Sequence, residues 1–175
     1  TSTTLDGIAI EPLYVRSADG AELGFPGSMP FTRGATVRTG EAIAWGVRQL
    51  HEDPDVAVTR QAILDDLERG GTSVWLRIDP DAIPADQLAT ALADVMLDLA
   101  AARVFSRTDQ DAAASALLAA LKGAGGDPAT VKGNLGIDPL AFAALNGTAP
   151  DLDALKRWVD AVAGLPGVTA LTVET

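Results

Sequence analysis

The pattern of apolar and polar residues divides the chain into an irregular beginning and a regular remainder. After Gly71, short runs rich in β-branched and aromatic residues alternate with runs that have helical periodicity. The predicted strands lie at 72–78, within 95–105, and at 131–137 and 167–174, and the predicted helices at 86–94, 112–122 and 152–163. This β-α-β-α order predicts an α/β fold with a parallel sheet and right-handed crossovers.

The spacing of the predicted strands allows two architectures. The strands begin near residues 73, 95, 131 and 168, about 32 residues apart on average. Eight such units make about 250 residues, the usual size of a (β/α)8 TIM barrel, so four strands would be half a barrel. A half barrel leaves two strand edges unpaired, which natural proteins avoid. The chain is therefore predicted to be either a barrel fragment or an open, doubly wound sheet.

The first 46 residues follow neither period. Three prolines and seven glycines predict a backbone that is extended and turns often. Large apolar residues recur through this stretch, as a solvated linker would not require; they are Leu13, Tyr14, Phe25, Phe31 and Trp45. We predict an extended N-terminal arm over 1–46, a leading helix over 47–71 that ends at Gly70-Gly71, and a partial barrel of about four strands and three helices over 72–175.

Composition and charge remove several classes of function. The 13 Lys and Arg against 24 Asp and Glu give a net charge of −11, which disfavours nucleic acid and anionic lipid as partners. The absence of cysteine excludes disulfides, thiolate metal sites and cysteine nucleophiles, and it is consistent with a cytoplasmic location. We predict no secretory signal in residues 1–10, and no apolar run reaches the roughly 18 residues of a membrane helix.

Few polar side chains are candidates for chemistry. Asp79 and Asp138 each follow a predicted strand and precede a proline. They can bind a divalent cation at the ligand-binding end of the sheet or, more simply, form a turn or cap the next helix. His51 is the only histidine, and it can be a general base with Glu52 or Asp53, or an ordinary solvated side chain.

Other conspicuous residues have structural readings. The glycines of 122–127 follow a helix rather than a strand, which is typical of a connecting loop rather than a phosphate loop. Trp75 and Trp158 are predicted to be core residues. Arg33 lies in an apolar, glycine-flanked segment, where it can bind a phosphate or carboxylate bidentately or pair with a local acid.

Three motifs occur in order within the first 50 residues. D-G-I-x-x-x-P-L-Y matches residues 6–14, P-G-x-x-P-F-x-R-G matches 26–34, and W-x-[IV]-R-Q matches 45–49. Together they resemble the adenosylcobalamin-dependent acyl-CoA mutases, methylmalonyl-CoA mutase above all. The resemblance implies that the βα alternation after Gly71 belongs to a TIM barrel.

The chain departs from the catalytic subunits of that family at the residues that cover the substrate. Where those subunits have a Tyr and then a Met-Tyr pair, this chain has Thr36, Thr39 and Gly40, and a short turn after Ile78 replaces a long polar loop. A site without that cover would not keep a radical intermediate away from water. The pattern is similar to the small subunit of the heterodimeric bacterial mutases, in which the barrel is retained and the active site is degenerate.

The resemblance therefore implies an N-terminal fragment of a non-catalytic small subunit, with a role in structure and assembly beside a large catalytic subunit. The assembled isomerase would interconvert methylmalonyl-CoA and succinyl-CoA with adenosylcobalamin, and this chain would bind no cofactor, because the D-x-H-x-x-G motif is not in the sequence. No catalytic residue and no metal ligand is implied. The implied remnants of a CoA-facing surface are Phe31 and Arg33, and the implied subunit-contact anchors are Tyr14, Phe25, Phe31, Trp45, Arg48 and Gln49.

Two alternatives remain beside this interpretation. One is a barrel that binds an acyl-CoA and has its own isomerase activity. The other is a free-standing acidic α/β adaptor, which requires an open sheet whose strand order reverses. A barrel fragment requires that the strands follow one another in sequential order.

Overall fold

The computed structural model describes residues 1–15, 24–34, 37, 45–125 and 127–173. Its contacts divide the chain into two compact units, Thr1–Ala44 and Trp45–Thr175. In the first unit, β1 (Ser2–Thr3) and β2 (Ala9–Ile10) form a small antiparallel pair. The Tyr14 hydroxyl accepts a hydrogen bond from the backbone N–H of Glu11 at 3.0 Å, so the chain turns back directly after this pair.

The motif segment Phe25–Gly34 is folded into a closed loop. The backbone N–H of Gly27 donates to the carbonyl of Gly34 at 2.9 Å, and further turn bonds lie inside that closure. Phe31 has a φ of 63°, in the left-handed region that a bulky residue rarely adopts. This part of the arm therefore turns on itself, as its prolines and glycines predict.

The second unit alternates strands with helices. In chain order its elements are β3 (Arg48–His51), α1 (Val56–Glu68), β4 (Ser73–Arg77), a 3-10 turn (Ala85–Gln87) leading into α2 (Leu88–Ala91), β5 (Ala101–Phe105), α3 (Gln110–Gly123), β6 (Gly133–Ile137), α4 (Pro139–Asn146), α5 (Asp153–Ala161) and β7 (Val168–Leu171). None of the helices in the described ranges is long and apolar enough to cross a bilayer.

All five strands of the second unit are parallel, and they follow one another across the sheet in the order β3-β4-β5-β6-β7. Sequential order is the arrangement of a (β/α)8 barrel, so the predicted α/β fold with part of a TIM barrel is confirmed. The alternative of a doubly wound sheet is wrong, because such a sheet requires that the strand order reverse. The adaptor interpretation, which required the same reversal, is wrong with it. The described sheet holds five strands, one more than the sequence predicted.

The additional strand lies where the sequence predicted the start of the leading helix. Residues Arg48–His51 pair in parallel with β4, and helix α1 begins only at Val56. The Asp55 carboxylate accepts the backbone N–H groups of Ala57 and Val58 at 2.9 and 3.2 Å, which ends the extended segment and starts the helix. Four residues are too few for a strand to show its period. Helix α4 was likewise absent from the predicted elements.

The hydrophobic core lies between one face of the sheet and the helices. Strand residues at alternate positions point toward this side, including Val74, Leu76, Val104 and Leu135, all at most 1% exposed. The helices contribute Ile63, Leu88, Leu117, Leu121 and Trp158 to the same cluster. Trp158 is a core residue, as predicted. The other face of the sheet corresponds to the interior of a barrel, and we call it the inner face.

Candidate functional site

The carboxyl ends of β4, β5 and β6 form the rim at which α/β barrels bind ligands. We call this rim the mouth of the half barrel. The loops that start there carry both candidate aspartates, Asp79 after β4 and Asp138 after β6. Both are buried, with 4% of their surface exposed. The chemistry of the mouth therefore depends on what each carboxylate contacts.

The Asp79 carboxylate binds the loop after the neighbouring strand. It accepts hydrogen bonds from the hydroxyls of Ser106 and Thr108, at 2.6 and 2.7 Å, and from the backbone N–H groups of Arg107 and Thr108, both at 3.1 Å. Burial alone would raise the pKa of Asp79, but these donors together outweigh burial and lower it. Asp79 is therefore an ionised carboxylate that joins the loops after β4 and β5.

Arg77, at the end of β4, is surrounded by acids. Its guanidinium donates to Glu52 at 2.7 Å, to Asp81 at 2.8 Å and to Asp79 at 3.2 Å. The hydrogen bond that Arg77 donates to Asp81 is the main cause that raises the pKa of Arg77, against the opposing effect of burial. Arg77 was not among the predicted site residues, although the string R-I-D-P-D places an arginine among acids where a predicted strand ends.

The end of β6 is held in a similar way. Asp138 caps α4 by accepting the backbone N–H of Ala141 at 3.0 Å, and Pro139 takes the first helical position, so the capping interpretation is confirmed. The Gln110 side chain donates to the carbonyl of Asp138 at 3.0 Å and accepts its backbone N–H at 3.1 Å. Asn146, at the end of α4, donates to the carbonyl of Arg107 at 3.1 Å.

The mouth thus contains a network of hydrogen bonds that joins its loops. Asp79 and Asp138 lie at the ends of different strands, and each is engaged by hydrogen-bond donors of its own or the next loop. Among the described residues, no group of three or more His, Asp or Glu side chains is arranged to hold a metal ion.

His51 is not placed to act as a general base at the mouth. It lies on the helix side of β3, 6% exposed, with Nε2 at 3.5 Å from Oδ2 of Asp66 on α1. Burial lowers the pKa of His51, and the charge of Asp66 opposes this change only in part. The expectation of a solvated histidine is wrong, because strand β3 turns this side chain into the core, and the acid beside His51 is Asp66 rather than Glu52 or Asp53.

Large side chains occupy the middle of the inner face. The Arg103 guanidinium lies over the Trp75 ring, 4.8 Å from its centroid, and the Phe105 ring lies 5.2 Å from Trp75. Trp75, predicted to be core, is half-buried here rather than packed under the helices. Toward the mouth, Trp75, Phe105, Leu50, Phe142 and Leu145 line a cavity of about 400 Å³.

The arm residues singled out from the motifs are exposed within their own unit. The exposed fractions are 68% for Tyr14, 76% for Phe25 and 45% for Phe31, and Arg33 is exposed as well. In the second unit, Trp45 is 75% exposed and Gln49 is exposed beside Arg48. Thr36, Thr39 and Gly40, which mark the departure from the catalytic subunits, lie outside the described residues.

Comparison with known proteins gives the chain close relatives, although no family model matches it. It is 50% identical, over 99% of its length, to the methylmalonyl-CoA mutase small subunit of Propionibacterium freudenreichii subsp. shermanii. In sequence, the chain belongs with the methylmalonyl-CoA mutase small subunits. The small subunit of Streptomyces virginiae is 37% identical over 99% of the chain, and the probable small subunit of Mycobacterium bovis is 29% identical over 98%.

The comparison confirms the resemblance that the three motifs in residues 6–49 indicated. The match extends over both units, so the arm and the half barrel belong to one homologous region. The chain spans 27% to 29% of the length of these small subunits. What the remaining length of the relatives contributes lies outside this chain.

Proposed function

We propose that this chain is a non-catalytic, structural part of a methylmalonyl-CoA mutase small subunit. The observation that carries the proposal is that the charged groups at the mouth are bound to one another and to the loops. Asp79 accepts four hydrogen bonds from the next loop, and Arg77 is neutralised by three acids. Groups whose donors, acceptors and charge are satisfied within the protein stabilise a barrel and are not available to bind a substrate.

The inner face supports the same proposal. A site for an acyl-CoA needs an open channel along the barrel, but Trp75, Arg103 and Phe105 project into that space. Packed side chains are the ordinary filling of a TIM barrel. The active site that a catalytic mutase barrel would carry is, in this proposal, degenerate here.

The partner in this proposal is the large catalytic subunit of a heterodimer. The exposed side chains of Tyr14, Phe25, Phe31 and Trp45 are the type of residue that anchors protein interfaces. Arg33, Arg48 and Gln49 supply polar groups near these anchors along the chain. We further propose that Phe31 and Arg33 are remnants of a CoA-facing surface, and that the assembly is cytoplasmic.

The cofactor is assigned to the partner. The D-x-H-x-x-G motif of the cobalamin-binding domain is not in the sequence, and the only histidine of this chain, His51, is buried under α1 with its ring near Asp66. The described residues therefore do not fit adenosylcobalamin. The interconversion of methylmalonyl-CoA and succinyl-CoA would take place on the large subunit.

Native mass spectrometry of the chain, alone and mixed with a cobalamin-loaded large subunit, tests the assembly role. We expect a one-to-one complex in the mixture. Alone, the chain should self-associate, because in the described sheet β3 and β7 each have an unpaired edge. A stable monomer that does not bind the large subunit would contradict the proposal.

The second candidate is a barrel that binds an acyl-CoA and has its own activity, which the apolar cavity of about 400 Å³ at the mouth favours. It predicts that a CoA thioester at millimolar concentration raises the melting temperature of the chain. The non-catalytic proposal predicts no such rise. Free CoA as a matched control separates binding of the acyl group from binding of the nucleotide.

A further inference from the structure

Helix α4 lies at the rim of the mouth and is attached there at both of its ends. At its start, the Gln110 side chain binds the backbone N–H and carbonyl of Asp138. At its end, Asn146 donates to the carbonyl of Arg107 in the loop after β5, at 3.1 Å. Between these ends, Phe142 lines the cavity of about 400 Å³ at the mouth. The attachment of α4 therefore depends in part on one exposed asparagine.

The amide of Asn146 acts only as a donor in these contacts. Its Nδ2 donates to the Arg107 carbonyl and also to the Phe142 carbonyl, at 3.0 Å, one turn back in α4. A carboxylate in the same place has no proton to donate, so both carbonyls would lose this partner. Its negative charge would also lie at the carboxyl end of a helix, where the helix dipole disfavours an anion. A change from amide to acid at this position would therefore weaken the attachment of α4.

The residue after Asn146 makes that change chemically accessible. Gly147 has a φ of 66°, and a Cβ there would find no atom within 4 Å. Because glycine has no side chain, little hinders the approach of its backbone nitrogen to the Cγ of the preceding asparagine. The Gly147 N–H is bonded to the carbonyl of Ala143, so the last turn of α4 must open first. Helix ends open at a small cost in free energy, and Asn146 is the last residue of this helix.

We propose that Asn146 is a site of spontaneous deamidation, and that deamidation releases the end of α4 from the loop after β5. The backbone nitrogen of Gly147 loses its proton and forms a bond to Cγ of Asn146, while the Cγ–Nδ2 bond breaks and ammonia leaves with that proton. Water then adds to a carbonyl of the five-membered imide and breaks one of its C–N bonds, which gives an aspartate or an isoaspartate. The inference goes beyond the proposed function, because it concerns a covalent change of this chain.

The sequence supplies an internal control, since it contains one other asparagine, Asn134, which is followed by Leu135. Asn134 is half-buried in β6, and its side chain donates to the Thr169 hydroxyl at 2.7 Å and to the Leu171 carbonyl at 3.0 Å. A strand within a sheet opens at a larger cost in free energy than a helix end. We therefore expect Asn146 to be modified at least about tenfold faster than Asn134.

Incubation of the folded chain at mildly alkaline pH, followed by mass spectrometry of the tryptic peptide 133–156, measures both rates. This peptide contains both asparagines, and its fragment ions assign the mass gain of an amide-to-acid change to one or the other. A gain at Asn146 that is no faster than at Asn134 would overturn the proposal. Asn146→Gln is the matched variant, because its amide would have to close a six-membered ring, and it should show no gain over the same time. A gain equal to that of the wild type would exclude the route through Gly147.

Thermal unfolding of the modified chain, separated by anion exchange, tests the release of α4. We expect the melting temperature to fall by about 3 °C relative to the unmodified chain, and to fall by a similar amount in Asn146→Asp. Gln87→Glu is the control, because it adds the same charge at an exposed residue outside the mouth and should leave the melting temperature nearly unchanged. If the modified chain and Asn146→Asp unfold at the same temperature as Gln87→Glu, the amide of Asn146 does not hold α4 and the proposal is wrong.

Discussion

Asp79 is the residue on which the mouth of the half barrel depends most. Its side chain is fully buried, and it accepts donors from residues 27 to 29 positions later in the chain. A buried carboxylate is favourable only when its lone pairs are satisfied, and here hydroxyls, backbone amides and a guanidinium satisfy them. The short turn after β4 and the loop after β5 are therefore coupled through one side chain.

Replacing this carboxylate should destabilise the protein strongly. In Asp79→Asn, an amide NH2 takes the place of an oxygen that faces donors, so at least one buried donor loses its acceptor. We expect the free energy of unfolding to fall by about 3 kcal/mol in urea denaturation. Asp81→Asn is the matched control, since Asp81 is 75% exposed and also binds Arg77, and it should lower the free energy of unfolding much less than Asp79→Asn does. Equal losses would show that the Asp79 network carries no special stability.

His51 gives the fold a pH dependence of known sign. Burial lowers its pKa in the folded state below the value of about 6.5 in the unfolded state. The unfolded chain therefore binds the proton first as the pH falls. The stability that neutral His51 contributes is complete above pH 6.5 or so, and it is lost as the pH falls through the folded-state pKa.

Denaturation between pH 7.5 and 5 measures this dependence, because the sequence contains no second histidine. We expect the wild type to lose stability over this interval and His51→Gln to lose much less. Asp66→Asn should make the loss steeper, since Asp66 is the charge that opposes the lowering of the pKa. A slope unchanged in both variants would contradict the assignment to His51.

Strand β6 contains the main irregularity of the sheet. Between the pairs Asn134–Thr169 and Ile137–Leu171 it has one more residue than β7, which is a β-bulge. The Asn134 side chain accepts the backbone N–H of Gly136 at 2.8 Å and donates to the Leu171 carbonyl, and so it replaces bonds that the ladder loses there. Gly136 has a φ of 70° and lies directly against the backbone of β5.

A side chain at this bulge should be incompatible with the sheet. In Gly136→Ala, the new Cβ would lie 1.8 Å from the carbonyl oxygen of Val104, which is backbone and has little room to move. We expect a loss of about 4 kcal/mol or more in the free energy of unfolding, or failure to fold. Gly123→Ala, at the end of α3 with open space around it, is the control and should be neutral or stabilising by about 0.5 kcal/mol. Melting temperatures that match for the two variants would contradict this account.

The whole protein presents its largest exposed aromatic side chains in the arm and at the start of the second unit. Phe31 and Trp45 are 45% and 75% exposed. Exposed aromatic residues in a folded loop cost little entropy when they dock, which makes them effective interface anchors.

Truncation of these anchors should weaken assembly and leave folding intact. We expect Phe31→Ala and Trp45→Ala each to lower the affinity for the large subunit by about tenfold or more, with a nearly unchanged melting temperature. Titration by native mass spectrometry or surface plasmon resonance measures the affinity. Val58→Ala, at a residue of α1 that is 51% exposed, is the control for loss of an exposed apolar group. Unaltered assembly in both variants would refute the role of the arm.

Local signals predicted most of the elements but not the contacts between them. The alternation after Gly71 predicted the four strands from β4 to β7, although β6, with the sequence GNLGI, has only one β-branched residue. The cap at Asp138-Pro139 was predictable because both its partners lie within three residues. Strand β3 was missed because its four residues acquire extended structure only by pairing with β4.

The sequence by itself determined the class of fold and the relationship to the mutase small subunits, since periodicity, caps and motifs are properties of neighbouring residues. Only the tertiary structure decided how each polar residue is used. It brings Asp79 to the loop after β5 and turns His51 into the core. These outcomes depend on strand register across about 25 to 30 residues of chain, and a shift by one residue would place each side chain on the opposite face.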